Sequence, residues 1–294
     1  MLLTHTMQSS VARFGSSDRR AFRSNVPLTD EQIRAVAPSV FALEKHSSRS
    51  ERYQPIATAE VLDGLRKEGF KPFSVVQGGS RDEEKRGFTK HMLRLRHESA
   101  MSAKGGDSFN EIVLVNSHDG TSSYKLMSGI FRLVCSNGMV VGTGNGFDEV
   151  RVKHQGDVKR QVIDGCIEIL GHLPEVRHQV ENFSQLRLTE GEQIAFATAA
   201  IAVKYDGEKA APFSADRLLT VKRAEDANPN LWNTLNTIQE NVIRGGVGYV
   251  LRDGNGHLKQ YRRTRPVEGI DQNVKINRAL WILDDEMAKL KGAA

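Results

Sequence analysis

Residues 111–141 read EIVLVNSHDGTSSYKLMSGIFRLVCSNGMVV, and the fold class turns on this stretch. Glu111–Asn116, Tyr124–Met127 and Ile130–Cys135 are strand-length runs rich in β-branched and aromatic residues. His118-Asp119-Gly120 and Asn137-Gly138 separate them, and both supply residues that tolerate the positive φ of tight turns. Gly129 marks a bulge or bend, and Met139-Val140-Val141 continues the series. Strands on connections this short pair with their neighbours antiparallel, because a parallel pair needs a long crossover.

The pattern extends outward on both sides. Phe73–Gln77, His91–Arg96 and Glu149–Lys153 read as further strands, giving a central antiparallel sheet over about residues 72–153. His91–Arg96 alternates strictly, so it is expected to bury one face through Leu93 and Leu95 and to hold Arg94 and Arg96 on the other. Beyond residue 156 the apolar period becomes helical: Val158, Val162, Cys166, Ile169 and Leu173 recur at spacings of three and four, and Pro174 is expected to kink or interrupt the helix. Thr189 to Glu192 forms a capping box before an Ala-rich helix that runs to about Tyr205. Asn228-Pro229 opens a helix carrying Leu231, Trp232, Leu235, Ile238 and Val242, which stops at Gly245-Gly246. A hairpin follows at 249–262, then a last helix at about 271–291. Upstream, Thr29 with Gln32 caps a short helix that Pro38 ends, and a second helix runs from about Thr58 to Glu68 with Gly69 as its stop. Strands and helices are segregated, so the class is α+β: a central sheet flanked by a helical C-terminal half with one inserted β-hairpin. Residues 1–25, rich in Ser and Arg, are read as a mobile arm, and residues 26–294 as a single domain, strand-rich over 70–155 and helix-rich over 156–294.

A chain of 294 residues with 39% apolar and 26% charged residues buries a core without disulfide or metal support. Two cysteines in such a length make no disulfide framework, no apolar run spans a bilayer, and the first residues lack a secretory signal. The expected location is the cytoplasm, with no membrane partner. The net charge of +5 is uneven: Lys+Arg minus Asp+Glu is 17 − 12 over residues 1–100, 9 − 12 over 101–200 and 15 − 12 over 201–294. The basic ends suit a polyanion.

Three segments resemble the DUF932 family: Thr89–Arg94; Ser128–Met139, which contains Phe131-Arg132-Leu133-Val134-Cys135-Ser136-Asn137-Gly138; and Asn228–Gly246 together with Asn277-Arg278-Ala279-Leu280-Trp281. The resemblance spans nearly the whole chain. It implies a protein of plasmids and prophages, carried beside antirestriction-type and DNA-repair-like genes, and it brings no catalytic residues.

Several constellations compete for a role. Arg132, between apolar neighbours, is either a phosphate clamp or a paired arginine on a half-buried sheet. Cys135 is either a thiol nucleophile or a small buried residue. The nine histidines show no HxxxH spacing, the cysteines no CxxC, and Asp148-Glu149 point to opposite faces of a strand, so no metal or other cofactor is expected. Gly142-Thr143-Gly144-Asn145-Gly146 lacks the lysine and the helix of a phosphate loop and reads as a flexible turn. The best nucleic-acid candidate is the hairpin, where Arg252, Lys259, Arg262, Arg263 and Arg265 accompany Tyr249 and Tyr261 within seventeen residues. Cations hold the backbone while tyrosines stack on unpaired bases. A second basic set, Arg81, Lys85, Arg86, Lys90, Arg94 and Arg96, suits a phosphate track or a plain solvent face. The expectation is therefore a non-enzymatic mobile-element accessory protein binding nucleic acid, single-stranded DNA above all. The alternatives are a protein-binding antagonist of host defence, with a host or element-encoded partner, and a nuclease or thiol hydrolase. Self-association is left open.

Overall fold

The computed structural model describes residues 21–48, 57–101, 108–132, 137–141, 149–152, 156–205, 211–255 and 257–292. Strands β1 (Ala21–Arg23), β2 (Phe70–Gln77), β3 (His91–His97), β4 (Ser108–Asn116), β5 (Tyr124–Arg132) and β6 (Asn137–Val140) hydrogen-bond in that order, and β7 (Val150–Val152) pairs with β5. The helices are α1 (Asp30–Val36), α2 (Thr58–Lys67), α3 (Glu98–Met101), α4 (Val158–Gln185), α5 (Glu190–Tyr205), α6 (Leu231–Arg244) and α7 (Ile270–Leu290). Strands β8 (Gly248–Arg252) and β9 (Leu258–Arg263) form a separate two-stranded ribbon. The protein is α+β, with an antiparallel sheet, a helical C-terminal half and the inserted hairpin.

The chain packs as two compact units. Unit 1 takes residues 1–104, 111–126 and 150–170; unit 2 takes 105–110, 127–149 and 171–294. In unit 1, α2 buries Val61, Leu62 and Leu65, and the strands bury Phe73, Val75, Leu93, Leu95, Ile112 and Leu114. Thr29 caps α1 as its sequence requires: its hydroxyl oxygen accepts from the Gln32 amide, and the Gln32 side-chain oxygen accepts from the Thr29 amide. Gly69 ends α2 at φ +83°. In α4, Gly165 faces Leu126 and Val150, where a Cβ would lie 2.8 and 2.9 Å from their side chains.

Unit 2 gathers Phe183, Phe196, Leu231, Leu235, Ile238, Val242, Leu280 and Trp281 into one core. Trp281 meets Phe183 edge-on at 5.5 Å and Trp232 at 6.5 Å. The Thr189–Glu192 capping box opens α5. Helix α6 is covered on almost every side, so its polar residues have internal partners: Gln239 donates to Asn277 Oδ1 at 2.9 Å, and Asn241 donates to the carbonyls of Leu218 and Thr220.

Several expectations need correction. Ala21–Arg23, inside the stretch read as an arm, is β1 and pairs with β2; the first twenty residues lie outside the described ones. Strand β3 is buried from His91 to Arg96 on both faces, not on one. Two expected strands around Gly129 are one strand, with Gly129 in regular register opposite Val140. Of the kink or interruption expected at Pro174 there is no interruption: α4 continues past it to Gln185. Helix α6 begins at Leu231 under an Asn230 cap that accepts from the Asn233 amide at 2.7 Å, so Pro229 precedes the cap.

Candidate nucleic-acid interface

The ribbon grows from the end of α6. Gly245 and Gly246 both take positive φ, +67° and +79°. A Cβ on Gly245 would stand 2.6 Å from the Thr264 carbonyl oxygen, so the chain can return here only past a glycine. The return is stitched by Gly246 N donating to Thr264 O, Thr264 N to Val247 O and Val267 N to Ile243 O. At the tip, the Asp253 carboxylate accepts from the amides of Asn255 and His257, each at 2.9 Å. Register pairs Tyr249 with Arg262 and Val250 with Tyr261, with an irregularity between Leu251 and Arg252. Directly opposite residues share a face. Tyr249 and Arg262 therefore share one side, and Val250 and Tyr261 the other. Tyr261 lies over Gly248, where any Cβ would collide with its hydroxyl.

On the Tyr249 side is a groove of about 700 Å³ lined by Lys204, Tyr205, Tyr249, Arg262, Arg263 and Arg265 among others, with no carboxylate among the described residues that line it. Lys204 donates to the Val242 carbonyl at 2.6 Å, and its ammonium stands 5.7 Å from the Tyr205 ring centre. Burial pulls the Lys204 amine down to about 8. Burial, and then the neighbouring Tyr249, raise the Tyr205 phenol. Outside the groove lining, burial lowers Lys222; Glu240 opposes this, while Arg244, Arg223 and Arg263 add to it. Among the described residues no carboxylate pairs with Lys259, Arg262, Arg263 or Arg265; Arg262 donates to Gln260 at 2.9 Å. All of β9 is exposed.

The other cations named from the sequence are placed differently. Arg94 and Arg96 are only 2% and 4% exposed. Both hold the buried Glu111 carboxylate, Arg94 at 3.3 Å and Arg96 at 2.9 Å, and Arg96 also lies 4.3 Å over the Phe73 ring. The expected open row of cations on a sheet face is therefore a correction: a strand covered on both sides tolerates guanidiniums only when they are paired. Arg132 is likewise buried, in an ion pair with Asp226, and is the paired arginine of the two readings. Ion pairing thus removes Arg94, Arg96 and Arg132 from any accessible cationic surface. Arg252 is exposed on β8. Lys204, Tyr205 and Lys222 were not legible as site residues, because a lysine and a tyrosine ending an Ala-rich helix look like an ordinary solvated end.

Cys135, Asp148 and the 142–146 turn lie outside the described residues. Glu149 is bonded by Arg278 at 3.1 Å. Cys166 is buried in α4, which pushes its thiol up and away from nucleophilic use. Among the described residues no three His, Cys, Asp or Glu side chains gather as metal ligands, and no helix is long and apolar enough to cross a membrane.

An α+β chain whose buried arginines on the sheet are paired, with an exposed ribbon rich in cations, is the class these features define. The chain belongs to the family described as "Domain of unknown function (DUF932)", which matches residues 45–281. It is similar to UPF0380 protein YafZ and to UPF0380 protein YfjQ, both of Escherichia coli (strain K12). Each is 44% identical over 282 residues, covering 96% of this chain and 98% of the relative. No solved structure matches the chain.

Proposed function

We propose that this protein binds single-stranded nucleic acid, DNA in preference, through the β8–β9 ribbon and the groove beside it, as an accessory protein of a mobile element. One observation carries the proposal. Lys259, Arg262, Arg263 and Arg265, which have no carboxylate partner among the described residues, share one ribbon and its return strand with Tyr249 and Tyr261. Unpaired cations hold phosphates, and tyrosine faces accept unstacked bases of any sequence. No step of bond making is assigned.

Four phosphate contacts on a single strand imply a log–log salt slope of about −3, at roughly 0.7 per contact. The test is fluorescence anisotropy of the full chain with single-stranded DNA, single-stranded RNA and duplex DNA across a salt series. The expected result is tightest binding to single-stranded DNA. Changing Lys259, Arg262 and Arg263 to Ala together is expected to flatten the slope to about −1. An unchanged slope and affinity would sink the ribbon as the site.

A second reading, a protein-binding antagonist of host defence, is favoured by Val250 and Leu258, 39% and 69% exposed on the same ribbon. Capture of a defined host nuclease by a protein with no oligonucleotide affinity would select it.

A further inference from the structure

We propose that Lys204 is a carbonyl-reactive amine whose ligand is an anionic aldehyde, one that carries a phosphate and is held in the groove by the arginines around it. The site is a separate matter from the polynucleotide reading and does not require it.

Four observations converge. Lys204 lines a groove of about 700 Å³, a volume suited to a small organic ligand rather than to a bare ion. Arg262, Arg263 and Arg265 line the same groove, so an anionic ligand meets three cations there, and among the described residues no carboxylate lines it. Among the described residues the contacts of the Lys204 ammonium are the Val242 carbonyl and the Tyr205 ring. Its ammonium is partly desolvated, and burial brings it to about 8. At pH 7.5 such an amine is neutral about two hundred times more often than an ordinary lysine. Tyr205 and Tyr249 place two phenols in the lining, where they can pass protons during carbinolamine breakdown.

The reaction balances without a further reagent. The Lys204 Nζ lone pair forms a bond to the aldehyde carbon, and the carbonyl π pair moves to oxygen; one proton then passes from nitrogen to oxygen, giving the neutral carbinolamine. The second nitrogen proton is transferred to the hydroxyl, which leaves as water as the nitrogen lone pair closes the C=N bond, leaving the imine. The shared ligand chemistry has two sources: a free phosphorylated aldehyde, or the ring-opened sugar of an abasic site, whose aldehyde is flanked by phosphodiesters.

The test uses the full chain with two probes, each reduced by borohydride to make the imine permanent. One is pyridoxal 5′-phosphate. The other is a single-stranded oligonucleotide with one abasic site, beside a control carrying the tetrahydrofuran analogue that has no aldehyde. Adducts are located by peptide mass spectrometry. Lys204 is expected to be modified at least about tenfold faster than any other lysine by one probe or both. The Lys204→Arg variant, its fold checked by circular dichroism, should lose that adduct. Modification by the first probe alone assigns a free phosphorylated aldehyde, and by the second alone an abasic polynucleotide. Modification spread over exposed lysines in proportion to their exposure, or centred on the N-terminal amine, overturns the proposal, as does no adduct with either probe. Binding of the control oligonucleotide is read separately, so failure of the polynucleotide reading and failure of this one give different results.

Discussion

Glu111 holds two guanidiniums in a place water does not reach. Removing its charge while keeping its shape leaves two buried cations short of their anion. Glu111→Gln is therefore expected to lower stability by about 3–5 kcal/mol, read from the urea midpoint. A change under about 1 kcal/mol would mean that other groups neutralise the arginines. Asp284 poses the opposite case. It is fully buried, neither oxygen has a hydrogen-bond partner among the described residues, and burial, with Asp285 nearby, raises its carboxyl well above the usual range. Folding then binds a proton at this side chain. Its contribution is whole below the unfolded value of about 3.9 and is lost as pH rises toward the folded one. Asp284→Asn is expected to raise the melting temperature at pH 7.5, worth about 1–3 kcal/mol, with the gain shrinking toward pH 4. His91 is a satisfied core histidine, and its proton is placed by its neighbours. Ser39 gives its hydroxyl proton to Gln77 at 2.7 Å, so it accepts from His91 Nδ1 at 2.9 Å, and Thr58 donates to Nε2 at 2.9 Å. His91 is thus neutral. Burial and then His118 lower it to about 3.

Elements show how far local pattern reaches. The two capping boxes, the glycine stops and the hairpin follow from residues within a few positions of each other, and all of them stand where the chain's chemistry puts them. Some failures are local: Asn137-Gly138, read as a turn, lies in β6, and Gly129 stays in register. The others belong to elements whose surroundings are distant in sequence. Strict alternation in β3 promises a wet face, yet β2 and β4 flank the strand and both its faces are covered. Helix α6 shows an amphipathic stripe, yet its Asn, Gln and Glu side chains are buried too. The ribbon depends on one backbone position more than on any contact. Gly245→Ala places a Cβ against the Thr264 carbonyl at positive φ, and should cost about 1–3 kcal/mol and lower the melting temperature. The same variant should weaken oligonucleotide binding, because the ribbon's base is displaced. A variant of wild-type stability would show that the return strand moves aside freely.

At the scale of the whole molecule, two units with separate cores answer pH differently. In unit 1 the unfolded chain binds a proton at His91 between about pH 6.5 and 3 that the folded chain refuses. Its contribution to stability is present above 6.5 and falls as pH drops, by up to about 1.4 kcal/mol per unit. In unit 2 burial, with Asp285 nearby, raises the Asp284 carboxyl, so its contribution runs the other way and grows as pH drops. Hydrogen exchange compared at pH 7.5 and 5, corrected for intrinsic rates, should therefore show protection lost first in β2 and β3 and retained in α7. Uniform loss across both units would contradict this.

The chain's own order of residues determined the α+β class, most helix and strand positions, and a segment where cations and tyrosines crowd together. These are consequences of periodicity, capping and turn chemistry, which act over a few residues. Only the tertiary structure decided which cations are spent on carboxylates. Arg132 meets Asp226 across 94 positions, and Arg94 and Arg96 meet Glu111 across a strand pair. Burial depends on what packs above a side chain, and a sequence does not display that neighbour. The same reason hid Lys204, whose chemistry comes from a groove completed by residues more than forty positions downstream.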